Sequence, residues 1–400
     1  MMLSLSLLLL AGLACGWGCR RAGLPAVPGY LLAGILLGPE GLNIFSTDLI
    51  SISPDLREIA LIIILAKAGL SLDAAVLKRI GRPAAMLCFV PATFELIAYA
   101  VLAPMILGVS RAEGALMGAV MGAVSPAVVV PAMSRMMDEK YGTDKGIPQM
   151  IIAGSSADDV YVIVLFSAFL SMVSGVSVSF GSFLQIPVAI ILGILAGIIS
   201  GLVLNAVFQN VHPDGSLKII LVLSVSFLLE AAEDLLKGTV SVSGLLAIIS
   251  LCMVLRKKDA DSAEEMGREL GKLWNGAQIF LLVLVGAEVK ISSLLSAGAG
   301  MAILLIIGLL FRSAGTLLSV SNTGLTSKEK GFVMIAELPK ATVQAAIGGV
   351  PLAMGLACGD QVLTLSVLSI LITAPLGSVL ISSTYRKLCT HDVSVSAELS

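Results

Sequence analysis

Two stretches decide how this chain folds: GAVMGAVSPAVVVPAM at 118–133 and AELPKATVQAAIGGVP at 336–351. Each lies within an apolar segment long enough to cross a membrane, yet each carries proline where a helix should be continuous. Pro126 and Pro131 fall near the middle of the first; Pro339 interrupts the second, with Gly348 and Gly349 further on. Proline removes a backbone donor and its ring clashes with the preceding turn, so unwinding is expected at each of the three. Peptide groups freed at membrane depth persist only where protein or a water-filled cavity satisfies them. The pattern therefore predicts two discontinuous helices facing a polar interior.

Composition places them in a membrane. Of 400 residues, 57% are hydrophobic and 13% charged, with a mean hydropathy of +1.01. A soluble domain carries about 25% charged residues, so this chain has too few to cover a water-facing surface. Aromatics at 5% and heavy Leu/Ile/Val/Ala/Gly usage favour helices over an aromatic-girdled barrel. A net charge of −2 and the lack of a basic tail exclude nucleic acid as an expected partner. The cysteines (Cys15, Cys19, Cys88, Cys252, Cys358, Cys389) form no Cys-x-x-Cys pair and lie mostly in apolar runs. With His212 and His391 the only histidines, a zinc site is not expected, and the thiols read as small core residues. No cofactor and no enzyme activity are expected.

A spanning helix needs about 20 apolar residues. Apolar runs broken at charge, Gly and Pro clusters give segments at 2–19, 25–42, 56–73, 83–108, 112–137, 147–175, 183–209, 217–232, 239–255, 273–291, 296–320, 330–356 and 360–384. The first reads as an uncleaved helix, because Arg20 and Arg21 follow its apolar run rather than precede it. With the N-terminus outside, eighteen of the 25 Lys and Arg residues fall inside and four (Arg57, Arg111, Lys237, Lys290) outside. That bias predicts a multi-pass protein, N-terminus outside and C-terminus inside, and the minimal tails suggest a bacterial cytoplasmic membrane. The charged link 256–272 reads as a solvated surface helix. The expected fold is an all-α polytopic membrane protein of about 13 transmembrane helices. An inverted 6+6 repeat would place crossed discontinuous helices at segments 5 and 12, the fifth of each half.

Ionisable residues inside a membrane cost several kcal/mol and mark function. Glu95 is central in segment 4, Asp158 and Asp159 lie in segment 6, and Arg312 lies in segment 11. Lys340 directly follows Pro339, and Lys67 is near the middle of segment 3; Glu288 and Glu337 sit further from the centre. Five carboxylates against three cations leave the interior short of two positive charges, so the site should bind cations or hold protons. Adjacent carboxyls such as Asp158 and Asp159 titrate as a coupled pair. Protons and a small hard cation then compete for the same oxygens, which is the logic of an antiporter. Na⁺ and Li⁺ prefer carboxylate, hydroxyl and carbonyl oxygens, which Asp159, Asp158, Ser125 and the unwound backbone at 125–128 supply. Lys340 would neutralise carbonyl ends of the broken helices, and Glu95 or Asp158 their amide ends. Glu95 and Arg312, at matching places in the two halves and with no obvious alternative partner, are expected to form a structural ion pair, with Lys340 and Glu288 supporting. An intramembrane aspartyl protease needs its two aspartates on different helices, and an organic-anion symporter would be repelled by several buried carboxylates.

The motifs PGYLLAGILLGP (28–39), LREIALIIILAKAGLSLD (56–73), GAVSPAVVVPAM (122–133), SSADDV (155–160), GAEV (286–289) and LPKATVQAAIG (338–348) span nearly the whole chain. In them the sequence resembles the cation/proton antiporter superfamily, specifically the NHA-type sodium/hydrogen antiporters (solute carrier family 9, subgroup B, and bacterial relatives). The resemblance implies a homodimer in lipid working by an elevator motion. Its dimerisation domain would comprise 1–81 and 183–291, its mobile core 82–182 and 292–385, with 386–400 a short cytoplasmic tail. Asp159 matches the essential cation- and proton-carrying aspartate, and Asp158 the neighbouring acidic position of electrogenic members. Arg312 pairs with the glutamate at Glu95 in the NHA branch. Lys67 stands where animal members have Arg, and Glu337 where they are apolar. The expected activity is Na⁺ or Li⁺/proton antiport. A potassium/proton antiporter or channel-like efflux protein of the same superfamily is the alternative, since PGYLLAGILLGP is shared with that branch.

Overall fold

The computed structural model describes residues 1–71, 81–174, 180–236, 242–290 and 298–391. Lys78, Arg79 and Lys237 of the charge count, and the tail beyond 391, lie outside the described residues. These contain seventeen helices and no strand. The helices are α1 (Met2–Arg21), α2 (Ala26–Leu37), α3 (Thr47–Ser51), α4 (Ser53–Ser71), α5 (Arg82–Leu107), α6 (Arg111–Met121), α7 (Pro126–Asp138), α8 (Ile147–Val173) and α9 (Phe180–Val211). They continue with α10 (Gly215–Leu236), α11 (Gly244–Lys258), α12 (Ala260–Ala287), α13 (Gly298–Ser319), α14 (Ser327–Ala336), α15 (Thr342–Gly348), α16 (Val350–Ala353) and α17 (Gly359–Leu388). Each of the thirteen apolar segments overlaps a helix or a broken pair. Nine stretches among the described residues are long and apolar enough to cross a membrane; Ala26–Leu37 and Thr342–Ala353 are shorter apolar helices. The charged link at 256–272 is not separate from segment 10: its first three residues end α11, and α12 runs from Ala260 in the link into segment 10 as one 28-residue helix.

The helices pack as two groups. One contains α5–α8 and α13–α17; the other contains α1, α2, α4 and α9–α12, and the two meet where α2, α4, α9, α11 and α12 touch α8, α15 and α17. Lipid supplies no hydrophobic drive between helices, so close backbone approach carries the packing. Gly193, Gly197 and Gly201 form a stripe on α9 whose missing side chains admit the carbonyls of Ser243, Ala247 and Leu251 around α11. Gly34 of α2 and Gly286 of α12 admit each other's helix in the same way, at the carbonyls of Val283 and Leu31.

Both proline-bearing stretches are discontinuous. The chain leaves α6 at Met121, runs non-helically through Ala123–Ser125, and restarts with Pro126 as the first residue of α7. Proline suits that position because its missing N–H has no partner to lose there. Pro131 corrects the expectation of a second break: it lies inside α7, and the helix continues through it. It forfeits the single bond to the Ala127 carbonyl, and both residues are on the exposed side of the helix. In the second stretch α14 ends at Ala336, Pro339 lies in the non-helical run, and α15 begins at Thr342. The two unwound segments cross, and the Ser125 amide donates to the Pro339 carbonyl over 2.9 Å.

Candidate functional site

Around that crossing the fold gathers nearly every intramembrane charge. Glu95 comes from α5, Asp158 from α8, Arg312 from α13, Glu337 from the end of α14 and Lys340 from the unwound run. All five are fully buried or within 1% of it. Arg312 is the hub, and its five N–H donors are all engaged. Nε donates to the Glu337 carbonyl and Nη1 to the Gly122 carbonyl. Nη1 also reaches Glu95 Oε2 at 3.2 Å, while Nη2 reaches Asp158 Oδ2 at 3.3 Å and Glu337 Oε2 at 2.8 Å. Lys340 Nζ donates to the same Glu95 oxygen at 2.6 Å and to the Met121 carbonyl. Its own amide is held by Thr373 Oγ1 at 2.8 Å.

The expected Arg312–Glu95 pair is present, and the geometry adds further partners to both residues. Arg312 does contact Glu95, but it divides itself among three carboxylates, and Glu95 is shared with Lys340. Glu337, for which the sequence offered no role, is the carboxylate nearest to Arg312. Asp158 is engaged on one oxygen only: Oδ2 accepts from Arg312 and, at 2.9 Å, from the Val124 amide. That amide bond satisfies one of the N–H groups released ahead of α7.

A second correction concerns Glu288 and Arg57. Arg57 does not lie in an outer loop; it is buried within α4 and pairs with Glu288 Oε1 at 2.8 Å, with Ser53 Oγ donating to the same oxygen at 3.3 Å. Glu288 therefore has its own cation and leaves the charge count of the crossing. Glu95, Asp158, Asp159 and Glu337 remain against Arg312, Lys340 and Lys67, whose ammonium attracts Asp159 electrostatically. Counted over these described residues, the crossing is short of one positive charge, not two.

Among the described residues, five buried oxygens near the crossing have no hydrogen-bond partner: Asp158 Oδ1, Asp159 Oδ1, Ser125 Oγ, Glu95 Oε1 and Glu337 Oε1; the last two belong to carboxylates whose other oxygen is held by Arg312 or Lys340. Asp159 lines a cavity of about 10 Å³, closed by Leu61, Ile64, Leu65 and Ala68 of α4, Ile163 of α8, and Val343, Ala346 and Ile347 of α15. That is room for about one water molecule or a bare ion. The backbone at 125–128 offers less than expected, because the Ser125 carbonyl accepts from the amides of Val128 and Val129.

Gln344, on α15, was not singled out from the sequence. Its Oε1 accepts from the Ala341 amide at 2.9 Å, and its Nε2 donates to the carbonyls of Ala123 at 2.8 Å and Val120 at 3.3 Å. The signal was present: a lone amide side chain in an apolar run next to a helix break.

A family model described as "Sodium/hydrogen exchanger, transmembrane" matches residues 5–387. The chain belongs to the sodium/hydrogen exchanger family. Among relatives of this exchanger-family chain, human Sodium/hydrogen exchanger 9B2 is 36% identical over 376 residues, covering 90% of this chain and 68% of the relative. Mouse Sodium/hydrogen exchanger 9B2 is 34% identical over 371 residues, covering 90% and 67%. Human Sodium/hydrogen exchanger 9B1 is 34% identical over 391 residues, covering 92% and 73%. The solved structure of the sodium proton antiporter MjNhaP1 from Methanocaldococcus jannaschii at pH 8 superposes with a TM-score of 0.80 at 22% identity, covering 97% of this chain and 99% of that one. That likeness concerns the fold. Together these matches support the NHA-type assignment made from the motifs.

Proposed function

We propose that this exchanger-family chain is a secondary active Na⁺ or Li⁺/proton antiporter in which Asp159, with Asp158 and Ser125, exchanges a proton for the cation. The observation that carries the reading is the single missing positive charge beside the unpartnered oxygens of Asp158, Asp159 and Ser125. A site one charge short becomes neutral when it holds one proton or one monovalent cation, and not both. Neutrality in low dielectric is the condition for moving either one across the membrane. Asp158 is tied to Arg312 and to Val124, so Asp159 is the group whose occupancy changes.

The reading includes an elevator motion, with 82–182 and 292–385 moving as a core against a dimerising scaffold of 1–81 and 183–291. It also includes thirteen crossings in an inverted 6+6 repeat, a homodimer in lipid, the N-terminus outside and the C-terminus inside. The contact of apolar α4 and α15 side chains around the Asp159 cavity supports sliding there. The test is purified protein in liposomes with an imposed pH gradient. Added Na⁺ or Li⁺ should collapse the gradient and K⁺ should not; collapse by K⁺ alone would favour the potassium/proton reading.

A further inference from the structure

All four carbonyls from Val120 to Ala123 are taken by side chains from the second half of the chain. Lys340 takes Met121, Arg312 takes Gly122, and Gln344 takes both Val120 and Ala123. Two of the three donors are cations already counted in the charge balance; Gln344 is the neutral one. Its amide donates twice and accepts once, from Ala341, so it satisfies three buried backbone groups while leaving the balance unchanged. A lysine or arginine here would supply the missing positive charge and remove the reason for a cation to bind. A glutamate would add a second negative charge and has no proton to give the carbonyls when ionised.

We propose that Gln344 is a specificity-determining residue of the exchange site: it holds the Val120 and Ala123 carbonyls away from the cation, leaving a ligand set of carboxylate and hydroxyl oxygens. This rests on the assignment of Asp158, Asp159 and Ser125 as that site. Strong-field carboxylates favour small hard ions, whereas rings of backbone carbonyls are what potassium-selective filters use. Gln344 touches backbone on both broken segments, so it also fixes where Ser125 stands.

The experiment measures proton release from liposomes against Li⁺, Na⁺ and K⁺ concentration for wild type, Q344M, Q344H and D159N. Methionine keeps the length of the side chain without a donor. Q344M removes all three hydrogen bonds of the side chain and should raise KM for Na⁺ and Li⁺ by at least about tenfold, the scale of one such bond, and narrow the preference for both over K⁺. Q344H retains one donor and should shift the ranking in the same direction by less, which keeps the test alive where Q344M does not fold. A folded Q344M or Q344H with wild-type KM and cation ranking, even with lower Tm, overturns the proposal while D159N is inactive. Exchange persisting in D159N would instead overturn the site on which it rests.

Discussion

Ser125 and Pro339 are 214 positions apart, yet the amide of one donates to the carbonyl of the other over 2.9 Å, and this bond is where the two broken helices meet. The bond turns two separate proline effects into one structure. Pro339 contributes an acceptor freed by its own break, and Ser125 spends on it a donor freed by the restart at Pro126. The charged side chains then complete the accounting that a membrane demands of exposed backbone.

Asp159→Asn should abolish exchange without unfolding the protein. The substitution keeps shape and removes both the exchangeable proton and the net negative charge of the crossing. Because it also removes a buried charge, Tm should stay at or above the wild-type value. Proton flux in liposomes and a thermal melt read the two effects separately; wild-type flux in this variant would sink the assignment.

Arg312→Gln should be more damaging than Glu95→Gln or Glu337→Gln. Removing the hub leaves several buried carboxylates short of a partner, and breaking a buried pair typically costs about 3–5 kcal/mol. Glu95→Gln leaves Lys340 its carbonyl contact at Met121 and leaves Arg312 two other carboxylates. The double variant Arg312→Gln/Glu337→Gln should recover part of the loss, which a double-mutant cycle on thermal stability measures. Strict additivity would mean that the two side chains do not interact.

Much of this was legible in the chain itself. The apolar segments, the two interrupted stretches and the list of intramembrane charges follow from composition and spacing, because bilayer thickness and backbone satisfaction leave few options. What was not legible depends on convergence. Nothing in the local sequence tells Arg312 to divide itself among α5, α8 and α14 rather than pair once. Arg57 reads as a loop charge because it is the second residue of the apolar segment 56–73, whereas α4 begins at Ser53 and buries Arg57 against Glu288. Pro131 was overread because a proline on an exposed helix face costs one bond, and the neighbouring turns hold.

Gly197→Val should separate α9 from α11. A Cβ at Gly197 would overlap the Ala247 carbonyl and the Ser250 side chain, and backbone cannot yield as a flexible tip can. Overpacking of this kind costs about 1–3 kcal/mol. Lower Tm with unchanged KM for Na⁺ is the expected outcome, since the stripe lies away from the Asp159 cavity; a raised KM with unchanged Tm would contradict it.

At one end of the molecule the chain closes a clasp over the loop between α7 and α8. Tyr385 donates to Glu139 Oε2 at 2.6 Å, Arg386 reaches the same oxygen at 2.8 Å, and Tyr141 bridges to His391 with its ring 4.7 Å away. The Gly142 amide donates to the Thr390 carbonyl at 2.8 Å. The Tyr385 hydroxyl and the Arg386 guanidinium hold the Glu139 carboxyl below its ordinary range. A carboxyl depressed in the folded state stabilises it fully above the ordinary value of about 4.3, and that contribution is lost as pH falls through the lower folded value. The clasp should therefore stay shut across neutral pH and loosen only in acid. Hydrogen exchange over 385–391 checks this: protection should be flat from about pH 6 to 8 in the wild type, well above the carboxyl's range. Glu139→Gln should lower it throughout that range, because the amide loses the charge-assisted bond to Arg386. Protection that varies between those pH values in the wild type, or that survives Glu139→Gln unchanged, would show that Glu139 does not hold the clasp.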